Sequence, residues 1–257
     1  MIQFFRMKKI LVFVLTLFSL NICFAQVKPG EKLVYAASYN MSGLMTQLAQ
    51  VTMQADLVKT TKKNFLHLSW EAATFSKWDS YFKIRDLYET YLDETTLKPG
   101  LFKRSTFEGG YSITQKYIYN PDGKSISGTS KIQNRPETKK TFAIGSSSQD
   151  IISLVYKLRT VDFSKFKPGQ SIVLSLIFDE KEYPVSIKFM GRENVSAGNL
   201  GKKECNILSI AAKTDRLRGK DKNLIWLTND SKRIPVMVRF SIPVGTGQIA
   251  LSSAYGL

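Results

Sequence analysis

Histidine occurs once in this chain of 257 residues, at His67, and cysteine twice, at Cys23 and Cys205. A single imidazole leaves one possible base for a serine or cysteine nucleophile, and no Gly-x-Ser-x-Gly elbow surrounds any serine. One histidine with one or two thiols cannot supply a closed zinc shell. No Asp-x-Asp-x-Asp-Gly calcium loop is present. Nothing in the pattern implies a catalytic residue, a metal or a cofactor. Acids are also scarce, 21 against 37 lysines and arginines, for a formal charge of +16. No apolar run reaches the roughly 18–20 residues that cross a bilayer as a helix.

The longest apolar run is Ile10–Phe18, broken only by Thr16 and preceded by Arg6, Lys8 and Lys9. Cys23-Phe24-Ala25 then sets small residues three positions and one position ahead of Gln26, the layout of a secretory signal peptide cleaved near Ala25. A start at Met7 would leave this reading unchanged. Asn21 and Ile22 depart from the small residues that precede an acylated cysteine, which speaks against a lipid anchor at Cys23. Removing 25 of the 257 residues leaves 232, one β-rich domain over 26–257, with Cys205 alone and no intramolecular disulfide. The leader takes three bases and no acid with it, so +16 becomes +13. An exported chain so charged is drawn to anionic membrane surfaces or acidic glycans. Export, and lysines scattered through strands rather than gathered in a basic helix, argue against nucleic acid.

Period-two alternation runs through most of the remainder. Leu66, Leu68 and Trp70 fall on one side of a strand, with His67, Ser69 and Glu71 on the other. From Trp78 to Leu92 one face collects Trp78, Phe82, Ile84, Tyr88 and Leu92. Asn120-Pro121-Asp122-Gly123 predicts a hairpin, Asn229-Asp230-Ser231 another turn. Pro184 and Pro235 belong at an edge, a strand start or a bulge. Helical spacing appears once: Ile151, Ile152, Leu154, Val155 and Leu158 predict a helix near 149–159, behind a serine cap with Asp150 in its first turn. The expected fold is all-β and mainly antiparallel, a strongly curved sheet or incomplete barrel with that helix across its open end.

Pro29-Gly30-Glu31-Lys32-Leu33-Val34-Tyr35, Arg85–Asp93 with Leu97-Lys98-Pro99, the helix Asp150–Arg159, and Ile225-Trp226-Leu227 through Asp230, Arg233, Pro235 and Val236 occur in that order. Together they resemble the DUF3108 family over nearly all of the chain beyond the leader. The resemblance implies an exported β-rich bacterial protein and brings no catalytic residues with it. The terminal hairpin is more faintly similar to periplasmic lipoprotein carriers, whose half-open barrels hold acyl chains around a helix.

His67 reads as a strand-surface residue and Cys205, in Glu204-Cys205-Asn206-Ile207-Leu208, as a buried thiol. Asp86 shares a face with Ile84 and Tyr88, so it points inward and needs a partner. Arg159, or the Tyr156 hydroxyl, is the expected one, tying helix to sheet. Trp78, Phe82, Tyr88, Tyr156 and Trp226 are the candidate ligand-binding residues, lining a hollow should the sheet be too wide for its side chains to fill. The leading expectation is therefore a non-enzymatic envelope protein that binds a lipid or other amphiphile in a concave sheet. The alternatives are glycan binding or envelope assembly through the surface, and a hydrolase working with two carboxylates.

Overall fold

A computed structural model describes residues 27–41, 43–212, 223–242 and 245–257. The leader-like segment and its cleavage point lie outside the described residues. Fourteen strands run as β1 (Lys32–Met41), β2 (Leu44–Lys59), β3 (Asn64–Thr74), β4 (Ile84–Asp93), β5 (Pro99–Glu108), β6 (Tyr111–Tyr119), β7 (Ser125–Ile132), β8 (Thr138–Ala143), β9 (Ser171–Phe178), β10 (Lys181–Ser196), β11 (Lys202–Ala212), β12 (Leu224–Thr228), β13 (Pro235–Ile242) and β14 (Gly245–Tyr255). One α-helix, α1 (Ile151–Arg159), separates β8 from β9.

All fourteen strands belong to one antiparallel sheet, in the order β8-β7-β6-β5-β4-β3-β2-β1-β14-β13-β12-β11-β10-β9. Two meanders thus spread from a central β1–β14 pair, registered from Lys32 opposite Tyr255 to Tyr39 opposite Gly247. The turn residues act as their chemistry dictates. Gly123 takes φ 64 in the β6–β7 hairpin, where the Asn120 side chain donates to Ser125 Oγ at 2.8 Å. Pro235 opens β13, and Pro184 pairs only with Ser175 of β9, because β11 joins β10 from Val185 onward.

The sheet curls without closing. Its edge strands β8 and β9 do not pair with each other; the link between β8 and α1 fills the gap. Gln149 N–H donates to the Ser175 carbonyl at 2.9 Å and Ile177 N–H to the Gln149 carbonyl at 2.7 Å. The β9–β10 turn, Asp179-Glu180, reaches across the same gap. Both residues have positive φ, 46 and 61, as a two-residue turn matched to strand twist demands. Asp179 Oδ1 accepts from Arg104 Nη1 at 2.9 Å, and Glu180 N–H donates to Tyr117 Oη at 3.1 Å.

Helix α1 occupies the concave side. Ile152 and Tyr156 pack among Leu33, Met53, Leu68 and Trp226, while Leu154 and Leu158 pack among Phe163, Leu176, Val185 and Ile225. Each of these buried side chains contributes about 1.5–3 kcal/mol of transfer free energy. Asp150, not a serine, caps α1: its Oδ1 accepts from Ile152 N–H at 3.0 Å and Ser153 N–H at 2.9 Å, and Oδ2 accepts from Thr90 Oγ1 at 2.8 Å. A carboxylate can take two orphan amides and a strand hydroxyl at once, which a serine hydroxyl cannot. Burial of Asp150 nevertheless raises its pKa, against the opposing pull of those hydrogen bonds.

Candidate functional site

The residues proposed to bind ligand do not share one site. Trp78 ends a 3-10 turn, Ser76–Trp78, and donates from Nε1 to the Gln47 carbonyl at 3.0 Å. Phe82 follows it before β4 begins and is half exposed, lying over Gly109. The expected continuous strand face from Trp78 is interrupted because Thr74 and Arg85 both bind Asp79: Thr74 Oγ1 donates at 2.5 Å and Arg85 Nη2 at 2.5 Å, which folds the chain back on itself. Tyr88 does face inward, 6.4 Å from Phe102 and 5.6 Å from the Arg104 guanidinium. Trp226 is buried, donating from Nε1 to Glu193 Oε1 at 2.6 Å. Tyr156 lies in the core beneath the sheet, and its hydroxyl makes no hydrogen bond among the described residues, as is true of Trp70 Nε1. Tyr88, Tyr156 and Trp226 pack in the core around α1.

Asp86 and Arg159 are not partners. Arg159 donates from Nη1 and Nη2 to the two carboxylate oxygens of Glu31 at 2.7 and 2.8 Å, and from Nε to the Lys232 carbonyl at 3.1 Å. Burial works against its charge, but the Glu31 hydrogen bonds and charge outweigh that and raise its pKa. Glu31 precedes β1, and a residue outside the alternating pattern carries no periodic signal of burial. The family-like Pro29-Gly30-Glu31 opening was the one hint available. Asp86 instead accepts from Phe107 N–H at 3.2 Å, next to Glu108. Its half-burial first, and the Glu108 charge second, push its pKa up to about 7. Two carboxyls do meet here, yet no cluster of three potential metal-binding side chains exists among the described residues.

His67 lies on the outer face, stacked on Tyr91 at 4.4 Å with Nε2 2.9 Å from Glu89 Oε1. Cys205 is buried, and desolvation, aided by the Asp230, Glu193 and Glu204 charges, pushes its thiol up to about 12. A buried thiol held neutral in this way lacks the environment of a reactive cysteine.

One opening sits at a mouth of the curled sheet. It is a cavity of about 550 Å³ lined by Val27, Lys28, Pro29, Leu66, the β4–β5 turn from Glu94 to Leu97, and Lys157 and Thr160 at the end of α1. Leu66 projects from the inner face of β3 and supplies a buried apolar floor. The turn is fixed by Asp93, whose Oδ1 accepts from Thr96 N–H at 2.9 Å and Thr95 N–H at 3.2 Å. The Thr96 amide first, with the Thr96 hydroxyl and Lys63, holds the Asp93 carboxyl below its ordinary range. Leu97 takes φ 54, an uncommon backbone for a leucine, and this presents its side chain to the opening. On the opposite side, Gly30 N–H donates to the Ala55 carbonyl at 2.7 Å and anchors the Val27–Pro29 segment to β2. Lys28 and Lys157 are exposed, two cations against the one carboxylate of Glu94. The volume lies within the range of roughly 300–1,000 Å³ that holds small molecules. Sequence patterning missed all of these lining residues, because a loop carries no periodicity; an apolar leucine between Thr96 and Lys98 in a polar turn was the only visible trace.

Fold and site together define a class: an incomplete antiparallel barrel plugged by one helix, with an open amphipathic mouth. The chain belongs to the DUF3108 family of proteins of unknown function, whose model matches residues 34–252. Among solved structures it is similar to a β-barrel-like protein of the DUF1849 domain from Brucella abortus, at 12% identity and a TM-score of 0.57, over 87% of this chain and 96% of that one. Looser likenesses are to a "putative lipoprotein" from Parabacteroides distasonis (TM-score 0.36, 10% identity, 88% of this chain and 95% of that one) and to an exported-type protein with a YmcC-like fold from Bacteroides fragilis (TM-score 0.35, 9% identity, 88% and 96%). No curated protein matches the chain.

Proposed function

We propose that this is an exported cell-envelope protein, not an enzyme, that holds the apolar part of an amphiphilic, lipid-like molecule in the cavity at the mouth of the sheet. The observation carrying the proposal is the composition of that cavity. Val27, Pro29, Leu66 and Leu97 are apolar, while Lys28, Lys157 and Glu94 stand among them at the solvent side. An acyl chain gains about 0.8 kcal/mol for each methylene it removes from water, and the lysines suit an anionic head. The leader pattern of the first 25 residues and the charge of +16 support work outside the cytoplasm. Helix α1 fills the concave face, so the ligand lies at the barrel's end and not along its axis.

Native mass spectrometry of protein recovered from the periplasm tests the reading first, with a co-purifying amphiphile as the expected result. Titration with a fluorescent fatty acid then locates the site. Leu97→Trp fills the opening and should weaken binding at least tenfold while the melting temperature stays within a few degrees. Protein that is consistently empty and does not bind the probe, or a filled variant that binds it equally well, overturns the proposal.

A further inference from the structure

The outer face of β5–β8 departs from the rest of the surface in charge. On β5, β6 and β7 the inward side chains are known from burial, for example Phe102, Arg104, Tyr117, Ile126 and Gly128, and the pairing of β8 with β7 carries the pattern across, so the alternate residues face out. Lys103, Lys116, Thr129 and Lys139 then fall in one row across the four strands, since Lys103 pairs with Lys116, Lys116 with Thr129 and Thr129 with Lys139. Lys131 lies in the adjoining row, opposite Thr114, which in turn lies opposite Ser105. No aspartate or glutamate occupies an outward position within these four strands other than at their ends. The acids of this sheet surface stand instead on β2–β4, as Asp56, Glu71, Glu89 and Asp93.

Like charges directly opposite in an antiparallel pair are destabilising. Lys103 is relieved, with Nζ 3.8 Å from Glu89 and 5.2 Å from the centre of the Tyr91 ring. Lys116, Lys131 and Lys139 are exposed and have no ion-pair partner among the described residues. A face arranged this way carries positive potential that its own acids do not neutralise. Among the lysines it also exposes aliphatic and aromatic surface: Leu87 is 39% exposed, Phe107 37% and Ile118 44%. A shallow depression of about 220 Å³ between Leu87, Lys103, Ser105, Thr114 and Lys116 offers hydroxyl groups beside the cations, with Glu89, the partner of Lys103, at its β4 side.

We propose that this face docks the protein onto an anionic phospholipid surface, with Lys116, Lys131 and Lys139 meeting lipid phosphates and Leu87, Phe107 and Ile118 entering the headgroup region. The apolar residues decide for a bilayer over an acidic polysaccharide, which offers no hydrocarbon boundary for Ile118 and Leu87 to enter. This docking is independent of the mouth cavity, because the two share no residue.

The test is sedimentation of the full chain with vesicles of phosphatidylglycerol and phosphatidylethanolamine, beside vesicles of phosphatidylcholine, at low and high salt. A lysine near an anionic surface contributes about 1 kcal/mol. Lys116→Glu/Lys131→Glu/Lys139→Glu should therefore lower partitioning onto the anionic vesicles at least 100-fold. The control K165E/K167E/K202E changes net charge equally, elsewhere on the molecule, and should cost less than tenfold; circular dichroism and melting establish that both fold. Salt should weaken binding of the wild type. Equal losses in the two triple variants, equal binding to phosphatidylcholine, or binding only to a soluble acidic polysaccharide each overturn the proposal.

Discussion

Replacing Glu31 by glutamine would leave the Arg159 guanidinium charged with no anion beside it. The two side chains are 3% and 1% exposed, and both carboxylate oxygens are engaged, at 2.7 and 2.8 Å. Removing one member of such a buried pair costs about 3–5 kcal/mol, because the survivor keeps its desolvation penalty. For a chain of this size that is a fall in melting temperature of about 6–20 °C. The contrast within the same molecule is Lys63–Asp93, 3.3 Å apart but 54% and 25% exposed, where Lys63→Ala should cost no more than about 1 kcal/mol. Urea unfolding of both variants, with the double variant E31L/R159M, completes the comparison. The double variant removes both charges and should recover to within about 2 kcal/mol of the wild type. If Glu31→Gln costs no more than Lys63→Ala, the pair does not lock α1 to the start of β1 as described.

Further outcomes follow from other groups. Asp86, with its pKa pushed up to about 7, binds a proton more readily folded than unfolded, so its contribution favours the fold at low pH and is lost as pH rises from about 4 through 7. Because it is only half buried, Asp86→Asn should stabilise by about 1–2 kcal/mol at pH 8 and leave stability at pH 4 unchanged, read by unfolding at the two pH values. Tyr156→Phe deletes a buried hydroxyl that makes no hydrogen bond among the described residues and should raise stability by up to about 1 kcal/mol; a loss of that size would mean the hydroxyl has a partner. Asp179→Ala removes the acid that reaches Arg104 across the gap and should destabilise by about 1–2 kcal/mol, whereas Glu180→Gly relaxes a positive φ and should stay within about 1 kcal/mol of the wild type. Thermal melts of the two turn variants side by side decide between a latch and a passive loop.

Alternation made the fold class legible. The strand through Leu66, Leu68 and Trp70 and the helix from Ile151 follow from local periods that burial on one face imposes. The hairpins at Asn120–Gly123 and Asn229–Ser231 follow from turn chemistry in the same way. What failed was pairing at long range. Alternation places Asp86 inward, where it is half-buried, but nothing local distinguishes Arg159 from Phe107 N–H as its partner. Glu31 lies 128 positions from Arg159. The aromatic residues stand out by the strand faces they share, and faces alone do not say whether a helix fills the space between them. The mouth cavity was invisible for a related reason, since it assembles a turn, a helix end and the segment before β1, none of which has a repeating pattern.

The position of β14 has a consequence for how the molecule comes together. On the side away from β13 its partner is β1, so residues as far apart in sequence as Leu33 and Ala254 meet in the middle of the sheet and not at its margin. Each meander can form from neighbours in sequence, but the seam joining them is the contact of greatest loop-closure cost and waits for β14 to emerge. Loss of that strand would not shorten an edge. It would leave two half-sheets, each with a fresh unpaired border, and α1 without the shell that surrounds it.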